Sequence, residues 1–432
     1  MSPAGRDDPR RLCRNHRCLY RLRPLLPVLP GLRGHQGRRR RAVKYDAVIV
    51  GASVAGLYLG MRLARNRWRV CIVDRRREIG LPVRCAEATG NRAELARLLP
   101  VDEAWIAREV SGISVQLNRT TVVRRDIPDA GIVLRRDTFE QYLARLGLQH
   151  GAELRLNTPA VGLTQDDNGY TGIRLEDGSR IEASLIAGAD GCESLVGRWA
   201  GITGPLHPAE AFTAAQYTLK SDFCNDGLMH FFVGAGNIPR GYIWVFPKAD
   251  GLISVGAGLY GCNHDLPKAG WYLDRFVSSH LPEVKRGPKS AGCVPIALCP
   301  HALCRKNVMV VGDAARQVNP LTAGGIMNAL EASLLAAEKL LSSRGSLEAR
   351  LRSYSKAWYR RFRLEQKVFM MLKETYLGLP DAGIESVLTA ASSAFSGSVD
   401  RSRPFIFPYL RLLGLGIRFL PHLRPHLRIL AG

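Results

Sequence analysis

Residues 45–74 read YDAVIVGASVAGLYLGMRLARNRWRVCIVD, and this stretch predicts the fold of the chain. Residues 45–50 form a short apolar and β-branched run, which is typical of a strand buried on both faces. A turn of small residues follows, and residues 54–65 then carry apolar side chains at helical spacing. Residues 69–73 predict a second strand, which ends at Asp74. The order of strand, turn, helix and strand predicts a βαβ unit.

The turn inside this unit carries a dinucleotide-binding fingerprint. Gly51 allows the sharp turn out of the strand, and Gly56 lets the helix pack closely on the strand. Ser53 stands where a second glycine usually lets backbone amides approach a pyrophosphate at the helix N-terminus. Asp74 lies 23 residues after Gly51, near the distance expected of an acid that binds ribose hydroxyls. A dinucleotide site is therefore favoured over a glycine turn in an ordinary α/β domain.

The composition is that of a globular protein with at least two domains. The chain has 432 residues, of which 46% are hydrophobic, and this allows a large core. Its 10 cysteines follow no pairing pattern, and Cys299 and Cys304 are too isolated to predict a zinc site. There is no apolar run of roughly 18 residues, so we expect no transmembrane helix. These features favour a reduced, cytoplasmic setting without a bound metal.

The net charge of +23 is unevenly spread along the chain. Residues 1–42 contain twelve arginines and two aspartates, and we predict a disordered extension there. Two alternatives stay open for residues 1–42. One is a targeting leader, although the two aspartates argue against it, and the other is a non-native segment upstream of a natural start near Val43. After Asp400 six arginines alternate with apolar residues, which predicts either a tail contacting an anionic membrane or terminal helices on the domain. No pattern typical of nucleic-acid binding occurs.

Two further buried strands each end in an acidic turn. Residues 184–189 lead to Asp190, and residues 308–311 lead to Asp313. A glycine pair at residues 324–325 then opens a predicted helix. The N–H groups at that helix N-terminus could face a phosphate or the edge of a flat anionic ring.

The remaining elements are predicted from periodicity and turn residues. Residues 137–151 predict a helix with Asp137 as its N-cap, and residues 161–175 predict a β-hairpin. Residues 202–300 are rich in strands, and we interpret them as a separate sheet that covers a pocket. Residues 346–378 predict a further helical region.

Taken in order, these motifs resemble those of a known group of flavoproteins. The fingerprint and the turns at Asp190 and Asp313 together resemble the FAD-dependent hydroxylase-like flavoproteins. Within that group, residues 82–87 (PVRCAE) resemble the flavin-proximal Cys-Gly-Glu loop of the geranylgeranyl reductase family. Residues 242–248 (YIWVFPK) resemble its YxWxFPK motif. The resemblance covers about residues 44–345.

The resemblance implies an α/β fold with a Rossmann-like FAD-binding domain, an inserted antiparallel substrate-binding sheet and a helical C-terminal region. The predicted parts are the N-terminal extension at 1–42, the FAD-binding domain at 43–110, 137–200 and 301–345, the substrate sheet at 111–136 and 201–300, and the helical region with its basic tail at 346–432. Ser53 and Ala86 depart from the family, because each replaces a glycine.

It also implies a set of site residues. The implied FAD-binding residues are Gly51, Ser53, Val54, Ala55, Gly56, Asp74, Arg75, Arg84, Cys85, Arg136, Val161, Asp190, Gly312, Asp313, Gly324, Gly325 and Ile326. The implied catalytic residues are Cys85 and Glu87, and the implied substrate-binding residues are Tyr242, Trp244 and Phe246. Plain alternatives stay open for Cys85 as a small apolar residue, for the aromatic residues as strand core and for Asp190 as an ordinary turn acid.

The function implied by the resemblance is an FAD-dependent reductase that saturates double bonds of a prenyl chain. The substrate would be a prenyl lipid or an isoprenoid diphosphate, and the electron donor NAD(P)H or ferredoxin. Cys85, Glu87 or a bound water are the candidate proton sources. The alternatives are an FAD-dependent monooxygenase, a flavin halogenase and a non-enzymatic basic protein at a membrane surface.

Overall fold

The computed structural model of the chain describes residues 44–394, apart from Asn168, Asn263 and His264, together with His426 and Ile429. Nothing is described of the side chains of Arg125, Pro128 and residues 390–394. The predictions for residues 1–42 and for the arginines after Asp400 lie outside the described residues.

The described chain forms strands and helices in the following order. The strands are β1 (Tyr45–Val50), β2 (Val70–Val73), β3 (Ala88–Thr89), β4 (Ile106–Leu117), β5 (Thr120–Leu134), β6 (Glu153–Arg155), β7 (Ala160–Asp166), β8 (Gly169–Leu175), β9 (Arg180–Gly188), β10 (Ala211–Lys220), β11 (Leu228–Val233), β12 (Gly241–Pro247), β13 (Leu252–Tyr260), β14 (Ser290–Pro295), β15 (Cys304–Arg305) and β16 (Val308–Val310). The helices are α1 (Val54–Arg65), α2 (Arg92–Ala96), α3 (Arg136–Gln149), α4 (Leu195–Trp199), α5 (Ala269–His280), α6 (Ile326–Leu341), α7 (Leu347–Gly378) and α8 (Asp381–Ala394).

The first sheet is parallel at its centre. Its strands run in the order β15, β16, β9, β1, β2, β6, and β8 with β7 joins it beside β9. β1 pairs in parallel with β2 and β9, and β9 pairs in parallel with β16. The register places Val50, Val73, Gly188 and Val310 in one row at the carboxyl ends of these strands. We call this row the strand-end edge, and open α/β sheets bind ligands at such an edge.

The second sheet has one face covered by a helix and one face of aromatic side chains. Its order is β14, β10, β13, β12, β11, β4, β5, β3, and only β11 and β4 among these pairs are parallel. α5 packs over Ile243 and Val245 of β12. Because side chains alternate along a strand, Tyr242, Trp244 and Phe246 lie on the opposite face. We call this opposite side the aromatic face.

α7 is hydrogen-bonded to both sheets. Its Tyr354 hydroxyl donates to Val310 O at 3.2 Å, at the end of β16. Its Tyr376 hydroxyl donates to Gly241 O at 2.6 Å, at the start of β12. Among the described helices, none is both long and apolar enough to cross a membrane.

The structure confirms the predicted α/β class with its two sheets and helical C-terminal region. It also shows β10 and α5, which the sequence patterns did not separate from the surrounding strands. α3 begins at Arg136 with Arg135 as its N-cap, so the predicted N-cap Asp137 lies inside the first turn. A carboxylate is favoured at either position by the helix dipole, and the composition alone could not separate them. The second sheet also takes in β3 and the first half of β4, upstream of the boundary predicted at residue 111.

Candidate active site

The turn after β1 is packed too tightly for side chains at its two glycines. Gly51 has a φ of +109°, and a Cβ there would lie 2.2 Å from Ala189 O. A Cβ at Gly56 would lie 1.9 Å from Gly51 O. The first backbone hydrogen bond of α1 runs from Leu57 N to Ser53 O at 2.8 Å. The preceding N–H groups therefore have no partner within the helix and face the strand-end edge, where an anion is favoured.

Asp74 lies beside this turn at the end of β2. Its carboxylate accepts hydrogen bonds from Ala52 N and from Arg76 N, each at 2.7 Å. The Arg76 guanidinium donates to Asp74 as well and to Ala52 O. Burial raises the pKa of Asp74, but the hydrogen bonds and charge of Arg76 outweigh burial and hold that pKa below its ordinary value. The predicted Arg75 is exposed, whereas its neighbour Arg76 contacts Asp74.

Arg136 is the centre of a polar cluster next to the turn. Its guanidinium donates to Ser53 Oγ at 3.0 Å and to Glu140 Oε1 at 2.7 Å. Its Nη1 lies 3.5 Å from Cys85 Sγ. Glu140 also pairs with Arg76 at 3.3 Å, so arginines and carboxylates balance each other around the fingerprint. Glu140 was not predicted, although its spacing of four residues from Arg136 on one helix face is a usable signal.

A second helix N-terminus, that of α6, lies at the same edge. Gly312 follows β16 with a φ of +69°, and a Cβ there would lie 2.8 Å from Ala55 Cβ at the start of α1. A Cβ at Gly325 would lie 3.2 Å from Asp313 Oδ1, so the Asp313 carboxylate faces the start of α6. Burial raises the pKa of Asp313. The first backbone hydrogen bond into α6 runs from Ala329 N to Gly325 O, so the N–H groups of residues 326–328 have no partner within the helix, whereas Gly324 N donates to Thr322 Oγ1 at 3.2 Å.

Three further predicted FAD-binding residues are Asp190, Arg84 and Val161, and of these Asp190 lies beside the fingerprint turn, since a Cβ at Gly51 would lie 3.0 Å from Asp190 N. The Asp190 carboxylate accepts from Ser194 Oγ at 2.6 Å and from Val196 N at 3.0 Å, so Asp190 fixes the start of α4 at the end of β9. Arg84 is an exposed residue of the Cys85 loop (residues 82–87). Val161 is 36% exposed on β7.

Cys85 and Glu87, the predicted catalytic residues, lie in the loop before β3, which we call the Cys85 loop (residues 82–87). Glu87 N donates to Cys85 Sγ at 3.3 Å. Burial raises the pKa of the Cys85 thiol above its ordinary value, against the opposing charge of Arg136. The thiol therefore keeps its proton at neutral pH. The Glu87 carboxylate is buried, pairs with Lys248 and accepts from Arg136 N at 3.1 Å.

The aromatic face packs against the Cys85 loop. Trp244 and Phe246 are buried and share an apolar cluster with Phe231, and Ala86 and Ala88 join that cluster from the loop side. The rings of Phe231 and Phe246 lie 5.2 Å apart, edge to face. The structure thus brings the predicted substrate residues next to the predicted catalytic loop.

Two tyrosines connect the aromatic face to the segment that precedes α6. The half-buried Tyr242 donates its hydroxyl to Thr322 O at 2.6 Å, and the buried Tyr260 donates its hydroxyl to Leu321 O. This segment leads directly to residues 324–325, where the resemblance implies contact with the isoalloxazine edge. Tyr260 was not predicted, because its position at the end of β13 is typical of strand core.

A cavity of about 550 Å³ lies elsewhere, between the loop around β15 and the first half of α7. It is lined by His301, Ala302, Cys304, Arg305, Lys306, Glu348, Arg352, Ser355, Lys356 and Tyr359. None of the predicted site residues is among these lining residues. The cavity is therefore separate from the candidate active site.

The residues at the strand-end edge fit FAD. Two helix N-termini present free N–H groups, which suit its diphosphate. The close contacts at Gly51 and Gly56 pack the turn and α1 tightly on the sheet, which sets the start of α1 at the strand-end edge. Asp74 stands at the end of β2, where an acid suits a ribose.

Comparisons with known proteins agree with this geometry. A family model described as an FAD binding domain matches residues 44–236, and one described as the geranylgeranyl reductase catalytic domain matches residues 210–290. A digeranylgeranylglycerophospholipid reductase of Methanosarcina acetivorans is 33% identical over 79% of this chain and 87% of its own length. A reductase of the same name from Methanococcoides burtonii is 34% identical over 80% of this chain and 86% of its own length.

Solved structures show the same fold. A geranylgeranyl bacteriochlorophyll reductase-like protein from Thermoplasma acidophilum superposes with a TM-score of 0.76 at 26% identity, over 89% of this chain and 99% of that chain. The flavin-dependent brominase Bmp2 superposes with a TM-score of 0.62 at 16% identity, over 78% of this chain and 88% of its own, which shows a shared fold alone.

The fold and the site define an FAD-dependent oxidoreductase, and FAD is its cofactor. The sequence identity and the coverage of the matches also show the family. The chain belongs to the geranylgeranyl reductase family, which confirms the resemblance found in the sequence.

Proposed function

We propose that this chain reduces the double bonds of the geranylgeranyl chains of a digeranylgeranylglycerophospholipid. The observation that supports the proposal most is the position of the Cys85 loop, between the FAD-binding edge and the aromatic face. An apolar prenyl chain suits a face of aromatic rings. The names of the similar proteins favour the phospholipid over a free diphosphate as substrate.

FAD in its reduced form supplies the hydride for the carbon–carbon double bond. In the proposed arrangement, the start of α1 binds the diphosphate and Asp74 binds the adenosine ribose. Asp313 would contact the ribityl chain, and residues 324–325 would face the isoalloxazine edge. Arg136 contacts both Ser53 and Cys85, and so it links the fingerprint turn to the Cys85 loop.

The second hydrogen reaches the alkene as a proton, and Cys85 is the residue that we place nearest to that step. Its thiol stays protonated at neutral pH, and the Cys85 loop borders the aromatic face. A thiol is a weak acid for this step, so we assign Cys85 the role of positioning a bound water that supplies the proton. The Glu87 carboxylate is engaged in its ion pair with Lys248 and in its hydrogen bond from Arg136 N, so we assign it to holding the Cys85 loop rather than to proton delivery.

We also propose peripheral contact with an anionic membrane, where such a lipid resides. The net charge of +23 supports this contact, since basic residues near an anionic surface are attracted to it. Either NAD(P)H or ferredoxin supplies the electrons, and the assay below compares both donors.

The test uses the full chain with FAD, incubated anaerobically with each electron donor. Digeranylgeranylglycerophospholipid in mixed micelles is compared with geranylgeranyl diphosphate, and the products are weighed by mass spectrometry. The proposal expects a gain of two hydrogens per double bond, with the phospholipid preferred. Faster reduction of the diphosphate would contradict the substrate, and a product heavier by one oxygen when air is admitted would indicate a monooxygenase.

A further inference from the structure

Lys248 joins the two sides of the site through an ion pair. It follows Pro247 at the end of β12, the strand that carries Tyr242 and the other predicted substrate residues. The Lys248 side chain is 13% exposed, and its ammonium pairs with the Glu87 carboxylate. The Glu87 side chain is almost wholly buried. The pair therefore connects the aromatic strand to the Cys85 loop.

Glu87 is held in an unfavourable backbone conformation by its neighbours. Its φ is +70°, a region that residues other than glycine seldom adopt. Its carbonyl accepts from Leu134 N at 2.9 Å, its carboxylate accepts from Arg136 N at 3.1 Å, and its own N–H donates to Cys85 Sγ at 3.3 Å. Such conformations persist where surrounding contacts over-determine them, and they concentrate at functional sites.

Loss of the Lys248 charge would act on this conformation directly. The Glu87 carboxylate would remain buried without a counter-charge, which is strongly unfavourable. Turning Glu87 toward water would relieve that cost. Because the carboxylate also accepts from Arg136 N, this movement would release Glu87 from its strained backbone conformation, and its N–H contact to Cys85 would shift together with the thiol.

We propose that Lys248 is a positioning residue of the reaction. Through Glu87 it holds the Cys85 thiol in place between the FAD-binding edge and the aromatic face. Its importance for the reaction rests on the proposed function, whereas its effect on the Cys85 thiol does not depend on any substrate.

The experiment compares Lys248→Met, Lys248→Arg and the wild-type chain, each loaded with FAD. Lys289→Met is the matched control, because Lys289 lies just before β14 of the same sheet and forms an exposed pair with Asp274 at 2.5 Å. Three quantities are measured: FAD content, kcat and KM for the lipid, and the rate at which iodoacetamide modifies Cys85, followed by peptide mass spectrometry.

Lys248→Met is expected to retain FAD and to lose at least about tenfold in kcat, since small displacements of a reacting group are costly. KM is expected to change much less, and the Cys85 modification rate is expected to change severalfold. Lys248→Arg, which keeps the charge, is expected to recover most of the wild-type kcat and most of the wild-type Cys85 modification rate. Lys289→Met is expected to match the wild-type chain in all three.

The inference is overturned if iodoacetamide modifies Cys85 in Lys248→Met at the wild-type rate. It is also overturned if kcat is as low in Lys248→Arg as in Lys248→Met. Should Lys248→Met fail to fold, Lys248→Gln removes the same charge while it keeps a polar side chain, and the same outcomes apply. If the wild-type chain does not reduce the lipid, the proposed function fails, and the Cys85 modification rates still decide the role of Lys248.

Discussion

Replacing Gly56 by alanine tests whether the fingerprint turn is built as the structure shows. The added Cβ would lie 1.9 Å from Gly51 O. Comfortable contact between such atoms needs roughly 3.5 Å, so the overlap exceeds an ångström. Because the obstructing atom belongs to backbone, the turn must open. Overpacking of this kind costs about 1–3 kcal/mol, and we expect the upper end of that range.

The helix end that faces the FAD diphosphate would move with the turn. We expect FAD affinity to fall by about a hundredfold, which corresponds to about 2.7 kcal/mol. Flavin absorbance titration measures the affinity, and urea unfolding measures the stability. Gly147→Ala in α3 is the control, because its Cβ would meet Ala152 Cβ at an ordinary 3.8 Å. Alanine is the better helix former by about 0.5–1 kcal/mol, so the control should not be destabilised. Tight FAD binding by Gly56→Ala would refute the reasoning.

Three further perturbations follow from the site. The pKa of Asp74 is lowered from 3.8, so its contribution to stability is present above that pH and lost as the pH falls through the lower folded pKa; Asp74→Asn should flatten the acid limb of urea-unfolding free energies, and an unchanged limb would refute this. Tyr260→Phe removes the donor to the half-buried Leu321 O and should cost about 0.5–1.5 kcal/mol, with a shifted flavin midpoint potential; an unchanged potential would show that Tyr260 does not act on the segment that the resemblance places at the flavin. Trp244→Leu should raise KM for the lipid, whereas lost stability with unchanged kinetics would mark Trp244 as strand core.

The local elements near the fingerprint could be predicted because their signals are local. β1 and α1 have the bounds that periodicity indicates, and Gly51 and Gly56 are fixed by close backbone contacts that only glycine permits. The Cys85 loop and the aromatic strand were identified by resemblance, and the structure brings them together.

The parts that could not be predicted depend on contacts between distant residues. Arg75 and Arg76 are adjacent members of one arginine run, and only the course of the chain after β2 decides which of them meets Asp74. Glu87 was predicted as a candidate proton source through the resemblance of residues 82–87 to the Cys-Gly-Glu loop of the family. Its partner Lys248 lies 161 residues away, so their pairing was not visible.

The central claim is that electrons pass from FAD to a prenyl double bond without oxygen. The most direct measurement is a single turnover under anaerobic conditions, with the FAD of the full chain reduced by dithionite and the excess removed. Digeranylgeranylglycerophospholipid is then added while the visible flavin band is followed and the lipid is sampled for mass spectrometry. The account predicts that the oxidised flavin band returns in step with a gain of two hydrogens in the lipid. A band that stays bleached until air is admitted, with the lipid unchanged or heavier by oxygen, would contradict it.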